Sequence, residues 1–203
     1  MLLNELTTYL KDRLNKKPLN PRHILSQFKL NNEDYRHSYE YTDPRYYPFF
    51  YYLGKKIKPS NLLEFGLEMG IESGCFIHGC KTLNGYLGFK SLLQNYWSPR
   101  LALCNIKNVL NKKIDYWYGD TEDPEFIKAF LSKKWDCVLM LKSNLTNRYY
   151  LDLAWNQMPI GGYLIVDNIK SIEINNCFKD FCIIKNREGN FLDTRYGTGI
   201  IIK

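Results

Sequence analysis

No window of this 203-residue chain approaches the roughly 18 consecutive apolar residues that a membrane-crossing helix needs, so no membrane partner is expected. The first residues, M-L-L-N-E-L-T-T-Y-L-K-D, lack the basic, apolar and small-residue order of a secretory leader, and the expected location is cytoplasmic. Cysteine-pair motifs are missing too. Cys75, Cys80, Cys104, Cys137, Cys177 and Cys182 include no C-x-x-C, which argues against a disulfide framework or a zinc site. Free thiols in a reducing compartment account for them. Histidine is scarce: His78 lies mid-helix beside Gly79 and reads as structural, while His23 and His37 precede the first strand. Arginines clustered with aromatics on one element would mark a dedicated nucleic-acid surface, and none is seen. The net charge of +7 comes largely from scattered doublets, Lys16-Lys17, Lys55-Lys56, Lys112-Lys113 and Lys133-Lys134. Nucleic acid is therefore not the expected partner, although such charge speeds encounter with any anionic one.

What is present is an ordinary globular composition. A hydrophobic fraction of 45% in 203 residues can bury a full core, in one domain with appendages. The expected division is a helical N-terminal extension over 1–43 and a Rossmann-like domain over 44–203. In the extension, apolar residues at 2, 3, 6, 10 and 14 have near-helical spacing and predict an amphipathic helix ending near Pro18. Asn20-Pro21 reads as a cap and first turn of a short helix through Phe28. Asn31–Pro44 is polar, tyrosine-rich and without period, so a loop is expected. Tyr46–Ile57 predicts a helix with an almost wholly aromatic face, broken by Pro59-Ser60.

The rest is organised around Asn61–Gly74, N-L-L-E-F-G-L-E-M-G-I-E-S-G. Leu62–Phe65 predicts a buried strand, followed by a glycine turn and a helix over Ile71–Thr82, which is how a βα unit of a parallel sheet begins. Alternation continues: strands over Tyr86–Phe89, Ile114–Tyr118, Cys137–Leu141 and Tyr163–Val166, with helices over Ser98–Leu110, Pro124–Lys133 and Thr146–Gln157. Asp123 is a candidate N-cap. Two β-rich runs, Phe181–Lys185 and Gly199–Lys203, are joined by turn-like N-R-E-G-N and Asp193–Gly197. They are expected to pair as an antiparallel terminal hairpin with no helix between. Five parallel strands and a hairpin do not make a two-half nicotinamide fold.

Three motifs in this order resemble the class I S-adenosylmethionine-dependent methyltransferases, and within them the small O-methyltransferases of the macrocin and cephalosporin-biosynthesis type. L-E-x-G-x-x-x-G stands as Leu63-Glu64-Phe65-Gly66-Leu67-Glu68-Met69-Gly70. G-D-(S/T)-x-D-P stands as Gly119-Asp120-Thr121-Glu122-Asp123-Pro124, and P-x-x-x-G-G-Y-x-x-V-x-D is nearly reproduced from Pro159 to Asp167. The resemblance implies a mostly parallel α/β sheet with S-adenosylmethionine as cofactor. Gly66 and Gly70 would admit its methionine part, Glu64 would lie near its positive end, and Asp120 would accept from the adenine amine. Lys90 stands where relatives carry the acid that binds the ribose hydroxyls, and lysine has no acceptor. The relatives' D-G-D-H after strand four is replaced by Leu141-Lys142-Ser143-Asn144. In metal-dependent catechol-type relatives, the first Asp of that stretch and an Asp-Asn pair after strand five hold magnesium. Asp167-Asn168 supplies the pair and Leu141 no oxygen, so no metal site is expected.

Each signal also has a structural reading. A strand-to-helix turn needs glycine whatever it binds, Asp120 serves as a turn residue, and Asp167-Asn168 as a turn or cap pair. Glu68 and Glu72 stabilise a helix start while repelling an incoming anion. Two functions follow. One is an O-methyltransferase on a small molecule or sugar, its base to be sought among Lys142, Asp167 and the tyrosines before the first strand. The other is a catalytically inactive relative kept as a binding or assembly module, with a protein partner or self-assembly. The Lys-, Asn-, Ile- and Tyr-rich composition points to an AT-rich genome and permits a viral or phage setting.

Overall fold

A computed structural model describes residues 3–16, 46–66, 70–89, 115–119, 123–141 and 147–203. Short apolar runs alternate with helical ones and build a seven-stranded sheet. Its strands are β1 (Asn61–Phe65), β2 (Gly85–Phe89), β3 (Asp115–Gly119), β4 (Cys137–Met140), β5 (Tyr163–Asp167), β6 (Gly189–Leu192) and β7 (Thr198–Ile202). The order across the sheet is β3-β2-β1-β4-β5-β7-β6. The first five are parallel, and β7 lies antiparallel between β5 and β6.

Strand alternation divides the core in two. Leu62, Leu139 and Ile165 face one side of the sheet, while Leu63, Phe65, Val138 and Val166 face the other. The first side is covered by α1 (Leu3–Lys16), α2 (Tyr46–Ile57) and α3 (Ile71–Gly79). The second is covered by α4 (Pro124–Leu131), α5 (Arg148–Gln157) and α6 (Ile172–Ile184). The helix expected at the N-terminus is therefore packed on the domain. Leu6 and Leu10 are fully buried in the core with α2, and Asn190 of β6 donates to Thr7 Oγ1 at 3.0 Å. The predicted helices at Pro21–Phe28 and Ser98–Leu110 and the loop at Asn31–Pro44 lie outside the described residues.

Local chemistry sets the element ends. Asp123 caps α4 by accepting from Glu125 N at 2.9 Å, with Pro124 in the first turn. Asn147 caps α5 through Tyr150 N at 3.2 Å, so that helix starts two residues later than the apolar pattern implies. Asp136 accepts from both Ser60 N and Asn61 N at 2.9 Å and fixes the start of β1.

The tail corrects one expectation. Phe181–Lys185 is not a strand; Phe181 to Ile184 form the last turn of α6. Ile174, Phe178, Phe181 and Cys182 are its buried residues, at helical spacing, while Ile183 and Ile184 are exposed. The hairpin exists, but its first strand is β6, reached through Asn186 at φ 49°. Each strand of the hairpin needs a glycine against α6: a Cβ on Gly189 of β6 or Gly199 of β7 would meet the Phe178 ring at 3.0 and 2.7 Å. The sulfur of Cys182 lies at 2.7 Å from the same point on Gly189.

The α2–α3 packing is closer still. A Cβ on Gly54 would sit 2.0 Å from the backbone oxygen of Phe76, and one on Gly79 would sit 2.0 Å from that of Tyr51. Neither carbonyl can give way without moving its helix. Gly54→Ala is expected to destabilise the protein by about 3 kcal/mol, the upper range for an overpacked interior. Denaturant unfolding checks this, and an unchanged midpoint would show that α2 and α3 are not in backbone contact.

Candidate functional site

The chain runs outward through β1, β2 and β3, then returns to lay β4 on the other side of β1. Helices leave β1 and β4 toward opposite faces, so a crevice opens at their carboxyl ends, where ligands bind in sheets of this kind. Beyond the strands, Leu141 N still donates to Phe65 O at 2.9 Å, and Gly66 N to Phe89 O at 3.0 Å. Gly66 (φ 101°) and Gly70 (φ 69°) both hold left-handed backbone that side chains resist. Gly70 is also the N-cap of α3 and offers no side chain to its first amides, leaving a helix start suited to an anion.

Glu64 lies beneath this turn on the α3 face, 1% exposed. Its Oε2 accepts hydrogen bonds from Ser73 Oγ, in the first turn of α3, and from Tyr86 OH on β2. Gly88, opposite Glu64 in the register, has no side chain to compete for that space. One carboxylate thus ties together β1, β2 and the start of α3. Burial first, then the charge of Glu64, holds the Tyr86 hydroxyl proton well above its ordinary range.

A second buried carboxylate closes β5. Asp167, 3% exposed, accepts from Tyr46 OH at 2.7 Å and from Thr198 Oγ1 at 3.2 Å, and Thr198 shares a 2.8 Å hydrogen bond with Thr194. Burial pushes the Tyr46 hydroxyl pKa up strongly, helped by the charges of Glu72 and then Asp167. Glu72 in the first turn of α3 therefore lies within electrostatic reach of Tyr46. The Tyr196 ring stands edge-on to Tyr46, 5.5 Å between centroids. Asn168 (φ 62°) turns the chain and accepts from Ser171 N at 3.0 Å.

The structure therefore gathers Glu64, Gly66 and Gly70 at one turn and sets Asp167 two strands away on the same edge. Lys90, Asp120 and Lys142, like Glu68, lie outside the described residues. Ser73, Tyr86 and Thr198 escaped the sequence reading; the available signal was a lone glutamate in an apolar strand, which must find donors. His78 packs its ring against Tyr51 at 5.7 Å. The described cysteines are free thiols, and Cys75 and Cys137 have pKa values pushed well up, first by burial. Among the described residues no three His, Cys, Asp or Glu gather as a metal site, and no helix is long and apolar enough to cross a membrane. A cavity of about 240 Å³, lined by Lys58, Asp136, Ile160 and Tyr163, lies at the amino ends of β1 and β5, the opposite edge from the glycine turn.

No family model matches the sequence, and no curated protein matches it significantly. Solved structures do match. An O-methyltransferase from Bacillus cereus in complex with SAH has a TM-score of 0.62 at 14% identity, covering 98% of this chain and 97% of its own. SAH-bound methyltransferase PaMTH1 of Podospora anserina has 0.64 at 12%, covering 100% and 97%. TomG of Streptomyces achromogenes, an O-methyltransferase of tomaymycin synthesis in complex with SAM, has 0.61 at 10%, covering 100% and 99%. The chain has the fold of the class I methyltransferases over nearly its whole length; these neighbours do not single out the macrocin type.

Removing the Tyr86 hydroxyl leaves a buried carboxylate one donor short. Tyr86→Phe is expected to cost about 2 kcal/mol in denaturant unfolding at neutral pH. Tyrosine in the unfolded chain ionises near pH 10, and the folded hydroxyl holds its proton above that. This stabilisation is therefore complete below about pH 10 and lost as pH rises further. Wild-type stability should fall more steeply above pH 10 than that of Tyr86→Phe; equal slopes would refute the buried Tyr86–Glu64 pair.

Proposed function

We propose that this chain is an S-adenosylmethionine-dependent methyltransferase acting on a hydroxyl of a small molecule or sugar, in the reducing cytoplasm that its free thiols fit. One observation carries the reading. Two glycines with positive φ frame the side-chain-free start of α3, at the crevice between β1 and β4. That arrangement suits the carboxylate end of an amino-acid cofactor, and the SAM- and SAH-bound neighbours support it.

S-adenosylmethionine would supply an electrophilic methyl group on a sulfonium. Gly66 and Gly70 would let the backbone approach its methionine part. Glu64 would hold the turn in shape through Ser73 and Tyr86. Asp120, following β3, would accept from the adenine amine, and Lys90, following β2, would flank the ribose. The acceptor hydroxyl would enter from the β4–β5 side, near Lys142 and the Tyr46–Asp167 pair. Transfer would depend mainly on holding the acceptor oxygen in line with the methyl group. Its proton would pass to Lys142 or to the Tyr46–Asp167 pair.

A second reading, a methyltransferase fold kept for binding a partner, is favoured by a different observation. The buried carboxylates at the ends of β1 and β5 already accept hydrogen bonds from protein hydroxyls.

Titration calorimetry of the full chain with S-adenosylmethionine and its demethylated product separates the two. Saturable micromolar binding of both is expected. Gly70→Asn, whose side chain tolerates left-handed backbone, should fold normally and bind at least about tenfold more weakly, a loss of about 1.4 kcal/mol. Absence of thermal stabilisation at millimolar cofactor, when mass action demands it, would sink the enzyme reading.

A further inference from the structure

In the catechol-type members of the resembling family, magnesium sits where β4 and β5 end. In this chain, Leu141 follows β4, is 8% exposed and offers a cation no side-chain oxygen. Asp167 ends β5, but each of its oxygens accepts from a protein hydroxyl: Oδ2 from Tyr46 at 2.7 Å and Oδ1 from Thr198 at 3.2 Å. Tyr46 is 5% exposed, Asp167 3% and Thr198 fully buried, so little of the carboxylate is open to solvent. Asn168, in left-handed backbone (φ 62°), spends its backbone carbonyl on Ser171 N and leaves its side-chain oxygen as a single neutral ligand. Magnesium demands near-octahedral oxygen ligation and gives up its waters reluctantly. These residues do not fit it.

We propose that Tyr46 takes the cation's place. Its hydroxyl, reaching from α2 across 121 residues of sequence, places a donor on the Oδ2 that a cation would have to share. Cofactor binding and transfer at this edge are then independent of divalent metal. Asp167 becomes a positioning residue that acts on an acceptor through Tyr46. Among the described residues, the charges felt at the Tyr46 hydroxyl are those of Glu72 on α3 and Asp167 on β5, with Tyr47 beside it, and Asp167 is its hydrogen-bond partner. That hydrogen bond ties the start of α2 to the end of β5. Where the acceptor lies rests on the methyltransferase reading; the pairing itself does not.

The test uses the full chain and two readouts. Thermal unfolding with millimolar magnesium, manganese or EDTA should give one melting temperature, and S-adenosylmethionine should bind equally in magnesium and in EDTA. A double-mutant cycle then joins Tyr46→Phe, which keeps the ring, with Asp167→Asn. Tyr46→Phe should lower the folding equilibrium constant about tenfold to a hundredfold, the range for hydrogen bonds to charged groups. The double variant should lose little more than the worse single one. Saturable stabilisation by magnesium or manganese that Asp167→Asn removes would overturn the proposal, as would additive losses or a Tyr46→Phe protein as stable as wild type. Failure to bind S-adenosylmethionine would instead count against the enzyme reading, because the cycle and the metal response are read on folding.

Discussion

A carboxylate withdrawn from water must be met by donors inside the protein, and the Glu64 side chain sets this condition at the centre of the sheet. Among the described residues, hydroxyls donate to it, Ser73 from α3 and Tyr86 from β2. The consequence is geometric. A strand, its neighbour and the helix that follows are held by a single group, so the turn between β1 and α3 is anchored beneath Gly66 and Gly70. Loss of that anchor would release the start of α3 from the sheet. Glu64 thus contributes to the site from below, as a brace.

The same solution recurs at the end of β5. Asp167 is met by Tyr46 and Thr198, again by hydroxyls and with no lysine or arginine in that pair of contacts. Both carboxylates accept from neutral hydroxyls, and both push a tyrosine hydroxyl further into its neutral form. A neutral tyrosine is a donor to its carboxylate, and its own oxygen retains acceptor capacity. That combination suits orientation of an acceptor better than abstraction of its proton by tyrosine alone. It also means that α2, whose aromatic face covers one side of the sheet, is joined to the site by a polar bond as well as by packing.

Much of the fold was legible because its determinants are periodic. β1, β2, β4 and β5 are short apolar runs between glycine or proline breaks, and α2 was bounded at Tyr46 and Ile57 by proline chemistry and aromatic content. The failure at Phe181–Lys185 has a physical source: F-C-I-I reads as strand in isolation, and only the earlier Ile174 and Phe178 reveal the helical period. Gly66 and Gly70 could be singled out because positive φ leaves a compositional mark. Ser73, Tyr86 and Thr198 leave none; each becomes a partner through proximity across 9, 22 and 31 residues, which no local pattern encodes.

Identities of 10 to 14% with structures of the same fold locate what the fold itself demands. Alternation along strands, glycine where backbone turns left-handed and donors for buried charge are sufficient to build it; most side chains are free to differ. The departures from the resembling pattern fall just past strand ends in the sequence, Lys90 after β2 and Leu141 after β4, where Leu141 is held by its backbone hydrogen bond to Phe65 and its side chain joins the core. The turn after β1, where positive φ at Gly66 and Gly70 demands glycine, departs least. Leu141 makes none of the hydrogen bonds that join Glu64, Ser73 and Tyr86, so the turn after β1 and the edge where β4 and β5 end can change separately. The turn braced by Glu64 and the edge built on Tyr46 and Asp167 therefore rest on different hydrogen-bonding side chains, one set on β1, β2 and α3 and the other on α2, β5 and β7.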